Sequence, residues 1–291
     1  MPGPTRNHDS ASRRMTALIE TARLGRRTVV MGILNVTPDS FSDGGRYLRR
    51  DAALQRALDM AAAGADIIDV GGESTRPGAA TVDPDEEIAR VIPVIEALSQ
   101  EPGLVTCVDT RKASVARLAL EAGAAMVNDV SAMTADPEMA GVVAQHGAAV
   151  CLMHMRGSPE TMQQDPRYSD VVREVAGYLQ ERAGAAESAG IRRDRIVLDP
   201  GFGFGKTLQH NLEMLRRLRE FADLGFPVMV GTSRKSMLGA LLGGAPPDDR
   251  LEGAAATVAL AIANGASIVR VHDVREMWRV AAVADAVVRG L

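Results

Sequence analysis

Asn35, Asp109, Asn128, Asp199, Lys235, Arg270 and His272 each stand at or just beyond the end of a short apolar run, and their types invite chemistry. Asp109 and Asp199 can only accept hydrogen bonds, Asn128 does both, and Lys235 only donates. That mixture suits the edge of a polar heteroaromatic ring. Arg270 and His272 are two residues apart, so on a strand they share a face. With Arg76 they form a cationic corner fit for a phosphate or pyrophosphate. Asn35 and the acidic residues after it offer hard oxygen ligands of the kind Mg²⁺ takes when phosphate oxygens complete its shell. Phe41, Pro77 and Phe204 could frame a second, smaller aromatic ring.

Something must bring residues more than 200 positions apart to one place. Strand-like runs fall at 28–34, 66–70, 104–109, 126–129, 148–154, 195–199, 227–231 and 268–272. The first is apolar and β-branched, then turns polar at Asn35 and enters a loop that Pro38 and Gly44-Gly45 keep from being helical. Helical patterns lie between the strands. Asp83-Pro84-Asp85-Glu86 reads as an N-cap with proline in the first turn, followed by Ile88, Val91, Ile92, Ile95 and Leu98 at helical spacing. Asp136-Pro137-Glu138 predicts a second start of the same kind. Gly64, Gly123, Gly147, Gly190, Gly225 and Gly265 each stop a helix shortly before a strand, where a left-handed residue is wanted. Strand, loop and helix thus recur over eight strands, with six of the helices stopped by glycine, which predicts a single (β/α)8 barrel with its active site at the C-terminal ends of the strands. A doubly wound open sheet is the alternative, but it would gather its chemistry at one switch point rather than at nearly every strand end.

The strand ends carry Asn35; Asp69 through Gly78; Asp109-Thr110-Arg111-Lys112; Asn128-Asp129; Met153-His154-Met155; Asp199 through Lys206; Thr232 through Ser236; and Arg270-Val271-His272-Asp273. Two tempting motifs fail. The stretch from Pro200 to Thr207 looks like a phosphate loop, but Pro200 stands where the Walker pattern needs glycine, and its G-x-G-x-G spacing is not the dinucleotide fingerprint. Its glycines read instead as a loop that lets Phe202 or Phe204 approach a ligand. Met153 and Met155 point away from His154 on a strand, so a packing surface for a flat ligand is favoured over a soft metal site.

Composition narrows the class. A chain of 291 residues with 46% apolar and 24% charged residues can bury a large core, and a net charge of −4 gives no reason to expect nucleic acid or an anionic membrane as partner. No apolar run reaches the 18 or so residues of a membrane span, and no signal peptide follows Arg13 and Arg14. Cys107 and Cys151 sit inside apolar strands, as core thiols of a cytoplasmic protein would. Residues 1–15 are expected to be a disordered tail and 16–291 the barrel.

The blocks MGILNVTPDSFSDGG (31–45), DVGGESTRPGA (69–79), VDT (108–110), NDVS (128–131), LMHM (152–155), LDPGFGFGKT (198–207), SRKS (233–236) and RVHDV (270–274) stand at the strand ends, and together they resemble the dihydropteroate synthases, pterin-binding barrel enzymes of folate synthesis, over about residues 30–288. The resemblance implies coupling of 6-hydroxymethyl-7,8-dihydropterin pyrophosphate to p-aminobenzoate with release of pyrophosphate. It implies that Asp109, Asn128, Asp199 and Lys235 bind the pterin with Met153 packed on it, that Asn35 ligates Mg²⁺, and that Thr75, Arg76, Arg270 and His272 hold the pyrophosphate. By the same resemblance Phe41, Pro77, Phe204, Ser233 and Ser236 surround p-aminobenzoate, Asp109, Lys235 and Asn35 carry the catalysis, and the chain works as a homodimer. Loops 35–45 and 71–80 are expected to close over the second substrate. Three other readings are a Schiff-base aldolase using Lys235, a pterin barrel passing methyl groups to a corrinoid partner, and a relative that binds pterin without catalysis.

Overall fold

The computed structural model describes residues 5–37, 46–74, 81–157 and 161–290, the side chains of 5–9 and 46–49 excepted. Its strands are β1 (Val29–Asn35), β2 (Ile67–Gly71), β3 (Thr106–Asp109), β4 (Met126–Asp129), β5 (Ala149–Met153), β6 (Ile196–Asp199), β7 (Met229–Val230) and β8 (Ile268–Val271). All pairs are parallel, in the order β6-β5-β4-β3-β2-β1-β8-β7. A single parallel bridge, Leu198 to Val228, joins the two ends, with Leu198 N donating to Pro227 O at 2.9 Å. The expected barrel is what forms, and the open sheet is excluded by that bridge.

Period-two alternation sorts the side chains. Val30, Ile68, Val108, Val127, Val150, Leu198, Val230 and Val269 face outward into the layer between strands and helices. Val29, Met31, Ile67, Val105, Cys107, Met126, Cys151 and Val197 fill the interior. The inner set is apolar toward the strands' starts and polar toward their ends: two residues after Cys107 comes Asp109, and two after Val197 comes Asp199. A polar mouth therefore sits on a dry plug.

Local signals mostly hold. Asp83 accepts from Asp85 N at 2.9 Å and caps the helix Pro84–Ser99. All six exit glycines have positive φ; at Gly123 (φ 115°) a Cβ would stand 2.6 Å from that of Ser99, so only glycine fits. The start expected at Asp136 differs. The helix there is Met139–Gln145; Asp136 Oδ1 does accept from Glu138 N (3.0 Å), while its Oδ2 accepts from Ala113 N (2.8 Å) and so also serves the neighbouring helix Ala113–Glu121, whose own N-cap residue Lys112 makes no side-chain cap bond.

The tail requires a correction. Rather than disordered over 1–15, the chain is helical from Thr5 to Arg23, residues 1–4 lying outside the described ones. Met15, Ile19 and Ala22 recur at helical spacing and are buried against the lower interior of the barrel. The polar composition around them hid this stripe. Physically, the apolar bottom of the barrel has to be covered, and this helix covers it.

Candidate active site

The pleat and register bring Asp69, Asp109, Asn128 and Arg270 together although Asp69 and Arg270 are 201 residues apart. Arg270 Nε donates to Asp69 Oδ2 at 2.6 Å, and its Nη2 donates to Asp109 Oδ2 at 2.7 Å. Asn128 Nδ2 donates to the same Asp69 oxygen at 3.1 Å. Asp69 is fully buried, and its other oxygen has no partner among the described residues. One cation thus lies between two carboxylates. Burial pushes Asp109 upward, against the pull of Arg270 and with the help of Asp69, to about 7. Arg270 stays cationic, its carboxylate neighbours outweighing burial.

Asp199 lies across β5 from this bridge, beside Met153 in register. Its Oδ1 accepts from Gly201 N at 2.7 Å, which fixes the plane of the carboxylate, and burial raises its pKa. Met153 packs with Phe204, Met162, Val130 and Met155, away from His154, as the strand period predicts. Lys235 is held by the shape of its loop. Arg234 takes a left-handed φ of 59°, which its bonds to Asp273 (2.6 Å) and Asp248 (2.8 Å) offset, and Arg250 Nη1 donates to the carbonyls of Arg234 and Lys235. Lys235 Nζ then lies 4.0 Å from the centre of the Phe204 ring.

Arg270 and His272, two residues apart at the end of β8, have different partners. Arg270 joins the carboxylates expected to bind the pterin, while His272 Nδ1 lies 3.0 Å from Ser233 Oγ. Ser236 opens the helix Ser236–Leu241 at the rim and is exposed. Asn35 ends β1 opposite Gly71. A Cβ on Gly71 would lie 3.8 Å from Asn35 Oδ1 and 3.7 Å from Asp109 Oδ2, so amide and carboxylate border one small space. Thr75, Arg76, Pro77 and Phe41 lie outside the described residues.

Sequence reasoning missed three groups. Asp69 was passed over as a ligand because it stands one layer below the end of β2; counting back by two from Gly71 would have found it. Lys206 is buried, donating to His154 Nδ1 (3.0 Å) and to the carbonyls of Phe204 (3.0 Å) and His154 (3.3 Å). Glu73, Glu87, Lys112 and Arg111 form an ion network behind the β2 loop: Lys112 bridges both glutamates, Arg111 Nη2 donates to Glu73 at 3.0 Å, and Val82 N donates to Glu73 at 3.3 Å. Glu73 precedes and Val82 follows residues 75–80, so one carboxylate ties both ends of that loop to the exit of β3. A cavity of about 300 Å³ lies elsewhere, lined by Ile19, Arg23, Arg192, Arg193 and Asp194 among others, and shares no residue with the mouth.

Residues 31–272 match the family described as "Pterin binding enzyme". The chain belongs to the pterin-binding enzyme family. Among its relatives is the dihydropteroate synthase of Synechocystis sp., 50% identical over 265 residues, which make up 91% of this chain and 92% of that one. The crystal structure of the Yersinia pestis dihydropteroate synthase with a sulfonamide drug superposes with a TM-score of 0.86 at 46% identity, covering 92% of this chain and 96% of that one. That of the Xanthomonas albilineans enzyme with 4-aminobenzoic acid gives 0.84 at 47%, covering 90% and 94%.

Proposed function

We infer that this chain is a dihydropteroate synthase, a folate-pathway transferase that joins 6-hydroxymethyl-7,8-dihydropterin pyrophosphate to p-aminobenzoate and releases pyrophosphate. The observation that carries this is the bridge from Asp69 through Arg270 to Asp109, set in the mouth of a barrel half identical to known synthases. Asp199 accepts paired donors of the pterin edge, Asp109 and Asn128 serve the opposite side, and Met153 lies under the ring. Lys235 donates to the pterin, with its Nζ beside the Phe204 ring. His272, with Arg76 and Thr75 of the β2 loop, receives the pyrophosphate. Arg270 touches both carboxylates and supports pyrophosphate from the inner side.

Bond breaking separates charge: pyrophosphate departs and a methylene-pterin cation is left. Asp109 and Asp199 face the growing positive charge in a dry site, where fixed carboxylates act strongly. The aniline nitrogen of p-aminobenzoate then attacks from the side of Phe204, Ser233, Ser236, Phe41 and Pro77. A sulfonamide carries the same aniline and competes for that space. The donor set also fits Mg²⁺. Asn35 Oδ1 is a hard oxygen at the rim, and no cluster of three His, Cys, Asp or Glu ligands exists among the described residues, which suits an ion that keeps waters and arrives with a phosphate. Bound there, Mg²⁺ would supply positive charge to the leaving group.

Two copies pair through the face bearing Leu242 and Leu260, large apolar side chains exposed on neighbouring helical segments. The reaction takes place in the cytoplasm, whose reducing conditions suit the buried free thiols of Cys107 and Cys151.

Incubation with pterin pyrophosphate, p-aminobenzoate and Mg²⁺ is expected to yield dihydropteroate and pyrophosphate in equal amounts. Asp199→Asn should lower pterin affinity roughly 30-fold or more at nearly unchanged melting temperature, because one acceptor becomes a donor facing a donor. Failure to form dihydropteroate, or normal pterin binding by the variant, would refute the assignment.

A further inference from the structure

The loop after β6 is held at nearly every polar group. Gly203 O accepts from Gln163 Nε2 (2.6 Å), Phe204 O from Lys206 Nζ (3.0 Å) and Gly205 O from Tyr168 Oη (2.9 Å). Gly201 N donates to Asp199 (2.7 Å) and Gly203 N to Asn211 Oδ1 (2.8 Å). The loop also lies directly on the exit of β5. A Cβ on Gly201 would come within 2.0 Å of His154 O, and one on Gly205 within 2.6 Å of Arg156 O. Both glycines have positive φ, 70° and 66°, so only this residue type permits the approach.

Lys206 joins the two exits. An ammonium has three N–H groups, and here it has three acceptors: the carbonyl of Phe204 on the β6 loop, and the carbonyl and Nδ1 of His154 after β5. Accepting at Nδ1 requires a neutral imidazole, and burial together with the Lys206 charge lowers His154 to about 3. No ion pair to Lys206 occurs among the described residues, and burial lowers its pKa to about 7. A buried cation without a touching carboxylate costs stability. An apolar side chain would fill the same space but could not grip two carbonyls at once.

We propose that Lys206 is a positioning residue for the second substrate, holding Phe204 by its carbonyl so that the ring keeps its place against Lys235 and at the wall of the p-aminobenzoate site. This rests on the assignment of Phe204 to that wall. Of the pterin carboxylates, Asp109 is held by Arg270 and Asp199 by Gly201 N, neither of them through the Phe204 carbonyl, so the two substrates should respond differently.

The test is steady-state kinetics on the full-length protein, with calorimetric titration of pterin pyrophosphate in the absence of p-aminobenzoate. Lys206→Met is expected to raise KM for p-aminobenzoate about tenfold or more while kcat and pterin affinity stay within about threefold. Tyr168→Phe removes the grip on the neighbouring Gly205 carbonyl while keeping the ring, and will fold even where Lys206→Met does not; about a threefold rise in the same KM is expected. An unchanged KM in either soluble variant, or a parallel loss of pterin affinity and kcat, would overturn the role of Lys206. Phe204→Ala separates the two ideas. An unchanged KM for p-aminobenzoate in that variant would overturn the placement of Phe204, and a raised one beside a normal Lys206→Met would overturn Lys206 alone.

Discussion

Arg270 is one cation shared by two carboxylates, and the site's response to pH follows from that shortage. Asp109 rises from an ordinary value of 3.8 to about 7 chiefly because it is buried. Between those values the folded chain holds a proton that the unfolded chain has lost. The contribution of Asp109 to stability therefore falls as pH rises through that window and is fully lost above 7. Pterin affinity should move the opposite way, since donors on the ring require the carboxylate. It should be about tenfold lower at pH 6 than on a plateau above pH 8, with proton release on binding in the lower range. Calorimetry in buffers of different ionisation enthalpy reads both; a flat affinity from pH 5.5 to 8 would mean that another group meets the pterin.

Elements divide the labour between the two ends of the barrel. Below, the helix Thr5–Arg23 seals the interior with Met15, Ile19 and Ala22. Ile19 is 1% exposed, so Ile19→Ala leaves a cavity and should cost about 2–5 kcal/mol in denaturant unfolding. Turnover of the folded fraction should be unchanged, because the chemistry sits at the opposite end. A variant that lost turnover but kept its stability would show that the lower plug reaches the site. Above, short exits carry the chemistry, and their rigidity has identifiable sources. Arg250 and Asp273 hold the Lys235 loop, and Gln163, Tyr168 and Lys206 hold the Phe204 loop.

At the scale of the molecule, Leu260 is 53% exposed on the helix Leu251–Ala263, two turns after Gly253, against which the exposed Leu242 lies. Burying such a patch between two copies removes apolar area from water on both sides. Leu260→Glu should shift the protein from dimer to monomer in sedimentation velocity at micromolar concentration, while the barrel of each copy stays folded. A wild-type protein that sediments as a monomer at that concentration would remove this interface. None of the described helices is long and apolar enough to cross a membrane.

The alternation of strands with glycine-terminated helices was legible along the chain because both patterns are local: a period of two or 3.6 and a glycine at each left-handed exit. Legible too were Asp109, Asn128, Asp199 and Arg270, which end buried runs where a solvent-facing explanation is strained. The partners of those residues were not. That Arg270 binds Asp69 and Asp109 depends on β8 lying beside β1 and on the register across β1, β2 and β3, contacts spanning up to 201 residues that no local pattern encodes. The N-terminal stripe was hidden because three apolar residues in a polar segment acquire meaning only once the barrel's bottom exists for them to cover. Lys206 looked like the end of a failed phosphate loop. Only the closeness of two backbone exits, permitted by glycines with no Cβ to separate them, turns its ammonium inward to three acceptors.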